Sequence, residues 1–135
     1  PWDTGTTNRP GPRHGPRQLR DYSTMIRAQN SHTDLRPFEL VNCADLGDVG
    51  PNPIDINDTL DRISSFYKIV NSHSILPLTG GGDHLCSLPI LRGIASDESV
   101  GMIHFDSHTD LFNSYFGGTS IRMVHLSEGL LKKAY

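Results

Sequence analysis

Asp106, His108 and Asp110 stand at i, i+2 and i+4, directly after the apolar run 100–105. In extended backbone such positions face one side, which gathers two carboxylates and an imidazole into one patch. Two unpaired carboxylates that close together repel each other, and burying them is costly. A divalent cation removes the conflict, and carboxylate plus imidazole suits a hard or borderline ion such as Mn²⁺. The lack of cysteine thiolates in the cluster argues against a structural zinc site. The plain alternative is a solvated turn with an incidental histidine.

A second cluster, Thr79-Gly80-Gly81-Gly82-Asp83-His84, has the order strand, glycine turn, helix. Glycine lets backbone turn sharply and approach a ligand closely. A phosphate cradle is the competing reading, but the Gly-Lys-Ser/Thr ending is missing and Asp83 would repel an anion at the helix start. Asp83 is expected to cap that helix. His84 alone carries little weight; it gains weight because both clusters end candidate strands and can converge. His104 shares the strand face of Asp106 and is expected to be packed or to support a ligand rather than to bind a metal itself. His14, His32, His73 and His125 are given no role, and Arg17 and Arg20 are expected to form surface ion pairs.

The elements that position these clusters follow from periodicity. Residues 1–16 hold four prolines and three glycines with no hydrophobic period, and read as loop. Gly15-Pro16 starts a helix over 16–28 with Leu19, Tyr22, Met25 and Ile26 on one face. The clearest helix is 58–72, with Leu60, Ile63, Tyr67 and Val70 at helical spacing. Further helices are expected over 84–95 and 124–131, and strands over 40–46, 75–79 and 100–106. Strands alternating with helices predict an α/β fold of right-handed βαβ units on a mostly parallel sheet. Ligands in such folds bind beyond the carboxyl ends of the strands, where both clusters lie.

Composition narrows the classes. The chain has 135 residues with 36% hydrophobic residues, a mean hydropathy of −0.37 and a net charge of −3. No apolar run approaches the roughly 18 residues of a membrane helix, and no secretory leader pattern opens the chain, so a cytoplasmic protein is expected. Residues 1–36 are net +3, residues 37–110 net −8 and residues 111–135 net +2. The acidic middle disfavours a nucleic-acid groove and is compatible with a bound cation. Cys43 and Cys86 are expected to be reduced, buried thiols. The hydrophobic fraction is low for a compact domain of this length.

At these residues the sequence resembles a known family. Gly81-Gly82-Asp83-His84 with Leu88-Pro89-Ile90-Leu91-Arg92, and His104-Phe105-Asp106-Ser107-His108-Thr109-Asp110, resemble the two early metal motifs of the ureohydrolases, the arginase and agmatinase family. Pro1-Trp2-Asp3-Thr4-Gly5-Thr6-Thr7, Arg9-Pro10-Gly11, Arg13-His14-Gly15-Pro16 and Asp45-Leu46-Gly47-Asp48-Val49 with Asn52-Pro53 resemble its agmatinase and guanidinobutyrase branch. The resemblance implies a three-layer α/β/α fold of the arginase type. Residues 1–135 are then a partial ureohydrolase domain, lacking the first strand and the C-terminal half. It further implies that His84, Asp106 and Asp110 bind one manganese, while Asp106 bridges to a second that His108 also binds.

The implied reaction is attack by a metal-bridging hydroxide on a linear guanidino compound, agmatine or a guanidino acid, releasing urea and an amine. The implied partners are a small guanidino substrate and further copies of the full-length chain, as a trimer or hexamer, with neither nucleic acid nor membrane. Four side chains leave two manganese shells incomplete, and the family supplies an Asp-x-Asp pair further downstream. Expressed alone, the segment is therefore expected to fold poorly and to be inactive. Ser107 replaces a usual alanine, and Gly117 stands where the branch usually has a loop histidine, which puts activity more in question than metal binding. No catalytic residue is assigned beyond the metal ligands. The alternatives are a non-catalytic metal-binding or interaction remnant of this family, or a formimidoyl-glutamate hydrolase on the same scaffold.

Overall fold

The computed structural model describes residues 1–6, 8–95 and 100–108. Its α-helices are α1 (Gly15–Ser23), α2 (Pro37–Leu40), α3 (Ile56–Ser72) and α4 (Ser87–Ile94), with 3₁₀ turns at Pro12–His14 and His84–Cys86.

The helix expected over 58–72 is α3, begun two residues earlier. Asp55 lies in extended backbone and accepts the Asp58 N–H at 3.1 Å, which satisfies one of the free donors of the first turn. The preceding turn is tied to the same helix. Thr59 Oγ1 accepts the Asn52 N–H at 2.8 Å and donates to the Asn52 carbonyl at 2.7 Å, while the Asn52 amide donates to Asp58 at 2.8 Å. Leu60, Ile63, Tyr67 and Val70 are buried, as their spacing predicts.

That apolar stripe packs on α4. The core consists of Trp2, Leu60, Ile63, Tyr67, Leu85 and Leu88, with Val49, Ile56, Phe66, Ile90, Leu91 and Ile94 against its edge. The two helices approach closely because Gly93 of α4 lies over α3. The helix expected over 84–95 thus divides into a 3₁₀ turn and α4, with Asp83 capping the turn by accepting the Leu85 N–H at 3.0 Å.

Three expectations need correction. Helix α1 stops at Ser23, and Leu19, Tyr22, Met25 and Ile26 are exposed rather than packed. Ser23 Oγ donates to the Arg20 carbonyl at 2.7 Å and Thr24 Oγ1 to the Asp21 carbonyl at 2.8 Å, so hydroxyls compete for the carbonyls of the last turn. Helix α2 was not anticipated; proline at its first position and Glu39 in its first turn are the local signals, and it takes Leu40 from the expected strand 40–46. Cys43 is exposed and Cys86 only partly buried, both free; burial pushes the Cys86 thiol up to about 11.

The segments 75–79 and 100–105 contain no helix, and no strand is assigned among the described residues, so the expected parallel sheet is not formed within them. A strand exists only with a hydrogen-bonded neighbour, and an apolar run does not specify who supplies it. Leu76 and Phe105 are 94% and 95% exposed, so neither has a covering layer here. The helix expected over 124–131 lies outside the described residues. Among the described residues no helix is long and apolar enough to cross a membrane.

Candidate metal centre

The turn that presents His84 is held by the amino-terminal loop. Trp2 is 4% exposed, and its carbonyl accepts the Asp83 N–H at 2.9 Å. A Cβ on Gly82 would run into that carbonyl and come within 2.8 Å of Cys86 Sγ. The expected close approach of backbone is therefore real, but here the partner is the protein's own loop. Among the described residues the glycines with positive φ are Gly11 and Gly47, so Gly82 is required for room rather than for an unusual dihedral.

Asp3 anchors this loop. Its buried carboxylate accepts the Gly11 N–H at 2.7 Å, the Arg13 N–H at 3.2 Å and Arg13 Nε at 2.6 Å, and Arg13 Nη2 completes the ion pair. The Arg13 guanidinium holds the Asp3 carboxyl well below the usual carboxylate range, with the two backbone N–H groups adding to the effect against burial. A carboxyl depressed in the folded state stabilises above its unfolded pKa, and that contribution is lost as pH falls through the folded value. Arg13→Met is accordingly expected to move the acid unfolding of the loop to higher pH. Trp2, the chain's single tryptophan, reports it by fluorescence during an acid titration. An unchanged transition would show that this pair does not hold the loop.

A second tie runs from α1 to the segment before α3. Arg20 grips Asp45 with Nε at 2.7 Å and Nη2 at 3.0 Å, and reaches Asp48 with Nη1 at 2.6 Å. That guanidinium lowers the Asp45 carboxyl to about 2. Arg17 pairs with Asp21 at 3.7 Å, so both arginines form the surface ion pairs expected of them. On the other side, the Tyr67 hydroxyl hydrogen-bonds Thr79 Oγ1, fixing the residue before Gly80 to α3.

The two clusters meet. His84 Nδ1 lies 3.4 Å from Asp106 Oδ2, and His104 Nε2 lies 3.5 Å from the same oxygen. The His84 and His104 rings stand with centroids 5.0 Å apart, tilted by 47°. One ligand atom from each of His84, His104 and Asp106 falls within 4.8 Å of the others. The side chains of His84, His104 and Asp106 are 23%, 30% and 32% exposed, which leaves an open face towards the cluster.

Asp106 Oδ1 is engaged differently. It accepts the His108 N–H at 3.1 Å, and this bond, with the Ser107 N–H and the two imidazoles of His84 and His104, lowers the carboxyl below its ordinary value. His108 Nδ1 stays 3.8 Å from Oδ1, and its side chain is 78% exposed, outside the three-residue group. Of the four ligands implied by the sequence, the structure thus joins His84 to Asp106 and sets His108 beside them. Asp110 lies outside the described residues, as does Gly117. His104 enters the group from its position two residues before Asp106, the parity that had put it on the same face.

Nitrogen and carboxylate donors converging at this spacing suit a borderline divalent ion, and no thiolate intrudes. Oppositely, a phosphate would meet the Asp106 carboxylate at this place, so the anion reading is not favoured by the charge present.

Comparison with known proteins identifies the family. The family model described as the arginase family matches residues 1–132. The chain is 47% identical to a guanidinopropionase of Pseudomonas aeruginosa, over 97% of this chain and 43% of that protein. It is 42% identical to the mitochondrial agmatinase of Gallus gallus, over 97% of this chain and 40% of that protein. It is also 42% identical to the mitochondrial guanidino acid hydrolase of Homo sapiens, over 97% of this chain and 39% of that protein. A crystal structure assigned as an agmatinase, from Clostridium difficile, superposes with a TM-score of 0.76 at 28% identity, covering 98% of this chain and 46% of that one. The chain therefore spans less than half the length of each of these relatives. With the family model matched along almost its whole length, the chain belongs to the arginase family.

Proposed function

We propose that the full-length protein is a manganese-dependent hydrolase of a linear guanidino compound, agmatine or a guanidino acid, releasing urea and an amine. The observation that carries this reading is the convergence of His84 and Asp106, from two motifs 22 residues apart in sequence, on one donor cluster in a chain of the arginase family. The names of the relatives, guanidinopropionase, agmatinase and guanidino acid hydrolase, supply the substrate class.

In this reading His84, Asp106, His108 and Asp110 would hold the manganese. When bound, the metal supplies a water acidified to near-neutral pKa and positive charge against the developing tetrahedral carbon. The protein's own contribution is to keep the donors fixed before substrate arrives. Asp83 holds the His84 turn through the Leu85 N–H, Trp2 holds it through its carbonyl, and the His108 N–H engages one oxygen, Oδ1, of the Asp106 carboxylate. The Asp106 carboxylate stays ionised and offsets cationic charge brought into the site.

The deciding experiment is an assay of the full-length, manganese-loaded protein for urea release from agmatine, 3-guanidinopropionate and 4-guanidinobutanoate. Urea from one of the three is the expected result. Formamide from formimidoyl-glutamate, with no urea from any guanidino compound, would replace this reading with the other hydrolase. Neither product, with manganese bound, would leave a metal-binding protein without this activity.

A further inference from the structure

We propose that His104 is a positioning residue, which orients the Asp106 carboxylate by donating from Nε2 to Oδ2; this rests on the metal-site reading above. Residues 104 and 105 have no regular structure and Asp106 opens a bend, yet the two side chains meet on one side, with His104 Nε2 3.5 Å from Asp106 Oδ2. Each oxygen of Asp106 then has its own neighbours. Oδ1 takes the His108 N–H at 3.1 Å, a backbone bond of the local turn that any residue but proline at 108 can make. Oδ2 has an imidazole on either flank, His84 Nδ1 at 3.4 Å and His104 Nε2 at 3.5 Å.

These two imidazoles are not equivalent. His84 enters from the start of the 3₁₀ turn, on a segment pinned by Asp83, Trp2 and the core, and so comes to Asp106 from another part of the chain. His104 lies two residues before Asp106 on the same segment and moves with it, so it can fix the carboxylate's rotation whatever the distance between the two segments. A carboxylate held only at Oδ1 would swing about its terminal torsion, which is broad for a side chain of this type. An imidazole that donates from Nε2 removes that freedom. Groups that orient a ligand in this manner carry a large share of metal affinity, and losing one typically weakens binding about 10- to 100-fold.

The test compares His104→Phe and His104→Gln in the full-length protein, reading manganese affinity by calorimetry and nitrogen hyperfine couplings by pulsed electron paramagnetic resonance. Phenylalanine keeps the ring and removes the donor; the glutamine amide places an N–H near the position of Nε2. His104→Phe is expected to weaken manganese binding by about 10- to 100-fold, and His104→Gln to recover most of the loss. The couplings from directly bound imidazole are expected to be unchanged in both. Wild-type affinity in the Phe variant would overturn the proposal, as would a Gln variant no tighter than Phe. Loss of one directly bound nitrogen in either variant would also overturn it, by making His104 a ligand. Because neither readout uses turnover, a wild-type protein that binds manganese but releases no urea would sink the hydrolase reading alone. A wild-type protein that binds no manganese would sink both.

Discussion

Asp106→Asn in the full-length protein is expected to reduce urea release by roughly 10³-fold, because removal of one preorganised charge partner at a reacting centre already costs roughly 10²–10³. The amide retains the size and planarity of the carboxylate. It can still accept the His108 N–H, so the turn 106–108 keeps its local bond. What it loses is the negative charge on the oxygen flanked by His84 and His104. As a neutral ligand the amide would be weaker for a divalent ion than the carboxylate. Manganese content measured on the purified variant should fall together with activity. Thermal stability without metal should stay within about 0.5 kcal/mol of the parent, since this partly exposed side chain lies outside the core. An asparagine variant with full manganese content and unchanged urea release would remove Asp106 from the centre.

Much of this centre was legible from residue types and spacing, for a local reason. An N-cap, a glycine turn and an i, i+2 alternation are set by a few neighbouring residues, so Asp83 as cap and the common face of His104 and Asp106 could be inferred from the chain alone. The same holds for α3, whose stripe at Leu60, Ile63, Tyr67 and Val70 is intrinsic to the helix and whose cap is Asp55. Convergence of the 79–84 and 104–108 segments was a weaker inference, because it depends on how strands lie side by side. Even so, His84 and Asp106 are within 3.4 Å.

The expectations that the described residues do not bear out depend on partners distant in sequence. Apolar segments 75–79 and 100–106 carry no address for the strand that would pair with them, and none is assigned to either among the described residues. The apolar face of α1 is similar: the pattern in Leu19, Tyr22, Met25 and Ile26 calls for a covering surface without saying where it is, and all four are exposed. The amino-terminal loop shows the reverse. Its proline and glycine content reads only as loop, yet Trp2 and Asp3 are among the most buried residues, held by Gly11, Arg13 and the Asp83 N–H. A lone tryptophan beside an aspartate in a polar loop was the available signal, since burying a side chain of that size gains more than a loop ordinarily offers.

Gly93→Ala is expected to destabilise the protein by about 2 kcal/mol, although helix propensity alone would make alanine the better residue by about 1 kcal/mol. The sign is decided by what a Cβ would meet. Built on Gly93, it lies 2.6 Å from Tyr67 Cβ, 2.7 Å from the Ser64 carbonyl oxygen and 3.1 Å from the Lys68 amide nitrogen. Two of these three are backbone atoms of α3, which cannot swing aside as a side-chain tip would, so α4 must move away from α3 as a body. The helix pair forms the main part of the core, and the movement opens contacts around Tyr67 and Leu88 together. It also reaches the metal centre, because α4 continues directly from the turn His84–Cys86. The variant should therefore show a lower midpoint in thermal unfolding and weaker manganese binding in calorimetry, with the binding loss the smaller because Trp2 and Asp83 still hold the turn. Gly93→Leu should be worse in both measurements, having more volume to place in the same gap. If Gly93→Ala instead raised the midpoint, propensity would outweigh packing at this position and α4 would be free to shift, leaving the Asp83 cap and the Trp2 carbonyl as the main restraints on His84.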